Sequence, residues 1–305
     1  KTEQTERGVK VTQTAAKAVQ TEKYETADFS IAIPKGWTVT SGGTNIYHSI
    51  RVYDPTEPLN QMFVLLKADV LLHSQAGKEA WQQNYALGNT QAALFTKAAV
   101  LENPSTEGFF KIFSQYTAFA SEVEPAYSGY AFPRFDNFTV TDRYPSASPM
   151  KSSALGDEQL RATFTDNGKE GEGLFAASVV DFGSFAISNG NVVGYQLQAV
   201  DGGYYMAYNI VAVTAAKDTF IEWEGVLTDC FKTLQYSDSF VSATNQASNE
   251  KVALAQQISQ NFNATMDGFM SSWESRNRSQ DIMSQKQSDA TLGYERVYDT
   301  ETNEI

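Results

Sequence analysis

The sequence predicts an α+β fold, an antiparallel β-sheet covered by helices, and three observations predict it. Apolar residues alternate with smaller ones in short runs such as Phe29-Ser-Ile-Ala-Ile33, the pattern of a strand with one face inside. From Ser74 to Val123, and again from Phe220 to Leu234, the apolar spacing lengthens to three and four residues, the period of a helix. Between those stretches, strand-like runs are punctuated by Asp166-Asn167-Gly168 and Asp201-Gly202-Gly203, which is hairpin-turn chemistry.

Lys1 to Lys23 carry Thr, Gln, Lys and Glu with Val and Ala in no consistent stripe, and read as a flexible tether over 1–23. Such a polar lead is what remains after an export or lipoprotein signal is cleaved. The expectation is an extracellular or envelope-attached protein, with a lipid anchor ahead of Lys1. The domain then spans 24–240. It opens with the strand from Phe29 into a Pro34-Lys35-Gly36 turn and Trp37. Tyr47 to Tyr53 and Gln61 to Leu72 follow as strands joined by Asp54-Pro55-Thr56-Glu57-Pro58.

Ala80, Trp81, Tyr85 and Leu87 sit near helical spacing and end at Gly88-Asn89. Thr90 to Leu101 continues as helix and stops before Asn103-Pro104; Thr106 to Val123 stops before Pro125. Together they form a helical insert over 74–123, and its stripe of Phe109, Phe110, Phe113, Tyr116 and Phe119 reads as core. Phe135 to Tyr144, Leu160 to Thr165, Gly173 to Phe182, Asn191 to Val200 and Tyr204 to Thr214 are the remaining strands. The amphipathic helix Phe220 to Leu234 closes the unit. Ser242 to Ser248 reads as a polar linker. Within 241–305 a long helix follows, with one stripe from Leu254 to Trp273, then a β-hairpin tail from Leu292.

Of 305 residues, 42% are hydrophobic, enough for a core without covalent staples. No apolar run approaches the roughly 18 residues of a membrane-spanning helix. The net charge of −13, from 23 basic and 36 acidic residues, repels phosphate backbones and argues against nucleic acid as a partner. The basic pairs Arg276/Arg278 and Lys10/Lys17 are isolated, not runs. A single cysteine, Cys230, allows no internal disulfide and no cysteine metal cage, and its helical setting makes it a buried filler.

The histidines are His48 and His73 alone, without a His-Glu-x-x-His run, so no metal site is expected and both read as surface or capping residues. There is no Gly-x-Ser-x-Gly elbow and no phosphate-cradling glycine loop, so no catalytic residue and no cofactor is assigned. Ser148-Pro-Met-Lys151 has the bare Ser-x-x-Lys spacing, but its prolines place it in a loop. Gly168 to Gly173 reads as a flexible loop. Acid pairs at Glu122/Glu124, Glu170/Glu172 and Glu222/Glu224 have the chemistry of glycoside hydrolysis; on a helix the last pair points to different faces and reads as solvated surface. The best ligand-binding candidate is the aromatic loop with Tyr127, Tyr130, Phe132, Arg134 and Phe135, residue types enriched in binding hot spots. The same rings fold back over a core edge in the competing reading.

The strand, Pro-Lys-Gly turn and Trp of Phe29 to Trp37 resemble the start of PsbP-like domains. Gly203-Tyr-Tyr-Met-Ala-Tyr-Asn-Ile-Val-Ala-Val, with its following helix and Phe231-Lys-Thr-Leu-Gln-Tyr-Ser, resembles that superfamily's last strand and helix. The resemblance covers about 24–240, with a helical insert larger than the fold requires. The tail from Trp273 through Leu292 to Ile305 resembles one found in secreted proteins of Gram-positive gut bacteria. Both resemblances imply scaffolding or binding at the envelope, and neither brings a catalytic residue. The expected function is therefore a non-enzymatic, secreted or envelope-attached binding or accessory protein, with a protein or glycan as partner. The alternatives are an envelope polysaccharide hydrolase using paired carboxylates, or an assembly role for the Leu254 to Trp273 stripe.

Overall fold

Every residue of the twelve-residue strand Gln61–Leu72 is buried, which only a strand covered on both faces achieves. The computed structural model describes residues 17–145, 149–193 and 196–247. In chain order the strands are β1 (Thr21–Glu25), β2 (Phe29–Pro34), β3 (Thr38–Gly42), β4 (Ser49–Tyr53), β5 (Gln61–Leu72), β6 (Ala99–Val100), β7 (Asp136–Pro145), β8 (Gly156–Asp166), β9 (Lys169–Gly183), β10 (Ala186–Val193), β11 (Gln196–Asp201), β12 (Tyr204–Ala216) and β13 (Gln235–Tyr236). The α-helices among the described residues are α1 (Gln75–Ala86), α2 (Ala93–Lys97), α3 (Thr106–Lys111), α4 (Phe113–Val123), α5 (Phe220–Lys232) and α6 (Asp238–Ala247). The protein is thus a mixed α+β fold built on a large antiparallel sheet.

That sheet runs β3-β4-β5-β12-β9-β8-β7, each strand antiparallel to its neighbours, with the short β6 added parallel to β5. Strand alternation divides its residues between two cores. Phe63, Leu65, Phe175, Ala177, Ile210 and Ala212 face the helical insert, where Phe109, Phe110, Phe113 and Tyr116 fill the space above them. Met62, Val64, Leu174, Ala176, Val211 and Val213 face the opposite way, against Phe220, Trp223, Leu227 and Phe231 of α5 and Phe29, Ile31 and Ile33 of β2. A small sheet, β1-β2-β13, completes that second layer, and β10-β11 forms a separate hairpin.

Several expectations are met by the chain's local chemistry. Asn167 and Gly168 both adopt positive φ and join β8 to β9 in a two-residue turn. Ser74 caps α1 by accepting a bond from Gly77 N at 3.1 Å. The core filler Cys230 is buried on α5 as expected, and burial with Asp229 nearby pushes its thiol up to about 11.

Other boundaries move, each for a physical reason. The first strand starts at Thr21, inside the expected tether, because β1 is exposed and held by backbone pairing to β2, so it needs no apolar alternation. The expected helix Thr106 to Val123 breaks at Ile112, whose ψ of 8° closes α3 before α4 begins. Helix from Thr90 ends at Lys97, and Ala99–Val100 pairs with β5 instead. The stretch read as one strand, Asn191 to Val200, belongs to the two strands β10 and β11. Asp201-Gly202-Gly203 is consequently no hairpin turn: β11 pairs with β10, whereas β12 pairs with β5 and β9. Most of the expected linker from Ser242 lies in α6. The long helix and β tail expected beyond it lie outside the described residues, as does Ser148.

Candidate functional site

The aromatic loop singled out in the sequence lies between α4 and β7 with most of its rings turned inward. Tyr127 and Phe135 are buried in the insert-side core, and Tyr130 and Phe132 are half-buried against it. Tyr127 donates its hydroxyl hydrogen bond to the Tyr47 carbonyl, Tyr130 shares one with Ser49 Oγ at 2.9 Å, and Phe135 meets Phe164 and Phe175 edge-on. Gly43, at φ 73°, makes this closure possible, because a Cβ there would collide with Tyr47 and the Tyr127 ring. Burial pushes the phenols of Tyr127 and Tyr130 above their ordinary range. Only Arg134 stands exposed, and it pairs with its neighbour Asp136 at 2.8 Å.

The acid pairs are distributed by the same logic. Glu222 is half-buried, and Glu224 is buried, because α5 turns it toward the sheet, where Arg161 of β8 reaches it at 3.4 Å. Arg161 also bonds Glu172 at 2.5 Å, so two carboxylates from different strands and helices converge on one buried guanidinium. Glu122 and Glu170 lie at the surface and pair with Lys97 and Lys217. Where Glu172 and Glu224 converge, the Arg161 guanidinium lies between them and engages both, unlike the open space between an acid and a base that flank a glycosidic bond.

The two histidines differ sharply. His48 is buried among Phe29, Tyr236 and Phe240, and that desolvation lowers its pKa to about 4. His73, which directly follows β5, instead lies at a corner where β9, β11 and β12 meet. Its Nδ1 faces Asp201 Oδ2 at 2.7 Å and its Nε2 faces Asp181 Oδ1 at 3.1 Å, while the ring packs on Tyr205 with centroids 4.0 Å apart. Each ring nitrogen therefore faces a carboxylate oxygen, from two different aspartates. Asp201 also accepts from Ser184 Oγ at 3.1 Å and from Gly203 N at 2.8 Å. Against the burial that would raise it, the bonds from His73, Gly203 and Ser184 hold its carboxyl below the usual value.

A string of aromatic rings runs from the same segments, β9, β12 and α1. Phe182 stacks on Tyr204 at 4.4 Å and 10°, Tyr204 approaches Phe95, Phe95 stacks on Trp81 of α1 at 4.3 Å, and Trp81 meets Phe185 edge-on. The two ends of this string of rings are the exposed ones, Phe182 at 55% and Phe185 at 37%. Phe185, Ser184 and Asp201 line a shallow pocket of about 290 Å³ with Ala186, Ala199 and Val200. That volume is near the lower end of small-ligand sites, roughly 300 Å³ upward. Sequence reasoning missed this corner. Its only local signal is Asp181-Phe-Gly-Ser-Phe185, which reads as the end of a strand.

Ser184, His73 and two aspartates in one place invite comparison with a hydrolytic triad, and the order of bonds argues against it. A triad needs the imidazole between serine and carboxylate. Here Asp201 sits between Ser184 and His73, and both ring nitrogens are engaged by carboxylates, so no nitrogen remains to take the serine proton. Among the described residues no group of three or more His, Cys, Asp or Glu side chains is arranged to hold a metal ion. Nor is any described helix long and apolar enough to cross a membrane.

No family model matches the chain, and no curated protein matches it.

Proposed function

We propose that this chain is a non-enzymatic binding or accessory protein, secreted or held at the cell envelope, with its ligand surface at the corner built by His73, Asp181, Phe182, Phe185 and Asp201. The observation that carries the proposal is one short segment, 181–185, that carries two exposed rings and, at Asp181 and in the Asp201 bonds to Ser184 and Phe185 N, joins a pre-oriented polar cluster. Exposed Phe182 stacks on Tyr204, so its ring is held flat while more than half of the residue stays exposed. The acids beside it are fixed by backbone amides and His73 before any ligand arrives, which lowers the entropic cost of binding. Within the α+β class, a PsbP-like fold is the finer reading. It is supported by the strand β2 leading to Trp37 and by the long strand β12 followed by α5.

Hydrolysis through paired carboxylates is disfavoured by what fills the space between them: Arg161 between Glu172 and Glu224, and His73 between Asp181 and Asp201. The test is saturable binding of the full chain to isolated envelope polymers and proteins, with product analysis of the bound material. Binding is expected to fall at least tenfold in the Phe182→Ala/Phe185→Ala double variant and to survive Arg134→Ala. Cleavage of the bound polymer would overturn the non-enzymatic reading.

A further inference from the structure

We infer that the ligand of this corner is a neutral glycan, whose sugar ring stacks on the outer face of Phe182 and whose hydroxyl donates to Asp181 Oδ2. The inference rests on the corner being the binding surface and adds the chemical class of what it binds.

The first argument is shape. Phe182 lies within 10° of parallel to Tyr204 at 4.4 Å, so its outer face is a flat apolar platform rather than an edge. A pyranose presents just such a complement, because its axial C–H groups give one apolar face while its hydroxyls project around the rim. Farther along the same segment, the pocket of about 290 Å³ at Phe185 and Asp201 is large enough for a sugar unit.

The second argument is the state of the acceptors. Sugar hydroxyls are solvated as well by water as by protein, so an acceptor gains from them only if it is already oriented. Asp201 is filled by its own protein: Oδ1 accepts from Gly203 N and Phe185 N, and Oδ2 from Ser184 and His73. Asp181 is held on one side only, with Oδ1 accepting from Gly183 N at 2.8 Å and facing His73 Nε2. Its Oδ2 has no partner among the described residues, and its side chain is 44% exposed. One oriented, unused acceptor adjoins the platform in sequence.

The third argument is charge. The chain carries −13, and the corner itself holds two carboxylates against one imidazole, so uronates, sialylated chains and phosphorylated polymers are repelled. A cationic peptide is the competing ligand of this sign. The exposed acceptor is a single solvated carboxylate, however, and such surface pairs contribute little to affinity. The two exposed rings also do not enclose a common space as an ammonium cage does: Phe182 stacks on Tyr204 while Phe185 packs edge-on to Trp81. Stacking area, not charge, is therefore the main resource of the site.

The experiment is calorimetric titration of the full chain with neutral oligosaccharides of glucose, mannose, galactose, xylose and N-acetylglucosamine. Polygalacturonate and a lysine-rich peptide are run beside them, each at low and at high salt. At least one neutral oligosaccharide is expected to bind saturably with an affinity unchanged by salt. Phe182→Ala is expected to weaken it more than tenfold and Asp181→Asn several-fold, both variants keeping the wild-type melting profile. If every neutral oligosaccharide fails while the peptide binds in a salt-sensitive, Phe182-dependent way, the glycan assignment is wrong and the corner remains the binding surface. Glycan binding that neither variant weakens would remove the corner itself from the account, and failure of the whole panel overturns the inference.

Discussion

The chain carries two aromatic segments, residues 127–135 between α4 and β7 and residues 181–185 from the end of β9 into the turn before β10, and the fold treats them oppositely. In the first, Tyr127 and Phe135 are buried and Phe132 packs edge-on against Tyr130 and Phe113, so the turn closes the insert-side core. In the second, Phe182 and Phe185 stay exposed, although each is backed by another ring. The difference lies in what stands opposite each turn. The glycine pair at the end of β3 lets the first settle onto Tyr47 and Ser49. The second joins a polar centre of His73, Asp181 and Asp201, whose side chains bond to one another and to the turn's own backbone. An aromatic turn thus becomes core or surface according to its tertiary neighbour, not its own composition.

The sharpest way to break this comparison is to truncate one ring from each turn. Phe135→Ala is expected to destabilise the fold by about 3–5 kcal/mol, as for a large core ring, in chemical denaturation. Phe182→Ala is expected to cost under about 1 kcal/mol. Equal losses would erase the distinction.

The acids supply a second contrast. Arg161→Met leaves Glu172 and Glu224 facing each other without their shared cation and is expected to cost about 3–5 kcal/mol. Asp181→Asn, at the exposed corner, is expected to change stability by under about 1 kcal/mol. If both substitutions proved neutral, the buried triad would not be the structural element described above.

The histidines supply a third. The folded-state pKa of His48, lowered to about 4, lies below its value of 6.5 in the unfolded chain, so the unfolded state binds the extra proton in that interval. Its neutral form is fully tolerated above pH 6.5, and stability falls as pH drops from 6.5 towards 4, by about 3 kcal/mol at 1.36 kcal/mol per unit. His48→Phe, which suits a site formed by Phe29, Tyr236 and Phe240, is expected to remove that part of the acid sensitivity. Denaturation midpoints at pH 7 and pH 4.5 decide it. Smallest of the core effects, Gly43→Ala is expected to cost about 1–3 kcal/mol, from its positive φ and from displacement of the Tyr127 ring.

Much of the sheet was legible because its information is local. β5 announces itself by the apolar runs Met62 to Leu66 and Val70 to Leu72, and Asn167-Gly168 fixes the β8–β9 turn by backbone preference. The aromatic stripe of α3 and α4 was also readable as core, whereas its break at Ile112 was not. The corner was not legible, because no local pattern records it. His73 and Asp201 stand 128 residues apart, and His73 and Asp181 stand 108 apart. They meet only because β5 and β9 flank β12, and because α1 approaches closely enough for Gly77 to touch the Asp201 backbone. Likewise, the spacing of Glu222 and Glu224 correctly separated their faces, but which face turned inward depended on Arg161 across the core.

Hydroxyl-radical footprinting of the full chain, resolved by residue with mass spectrometry, tests the inversion of the two turns most directly. Phe182 and Phe185 are expected to oxidise rapidly while Tyr127 and Phe135 are protected, and a bound neutral oligosaccharide is expected to protect Phe182. Oxidation of Tyr127 or Phe135 as fast as Phe182, or ligand protection at 127–135 with none at Phe182, would contradict the account.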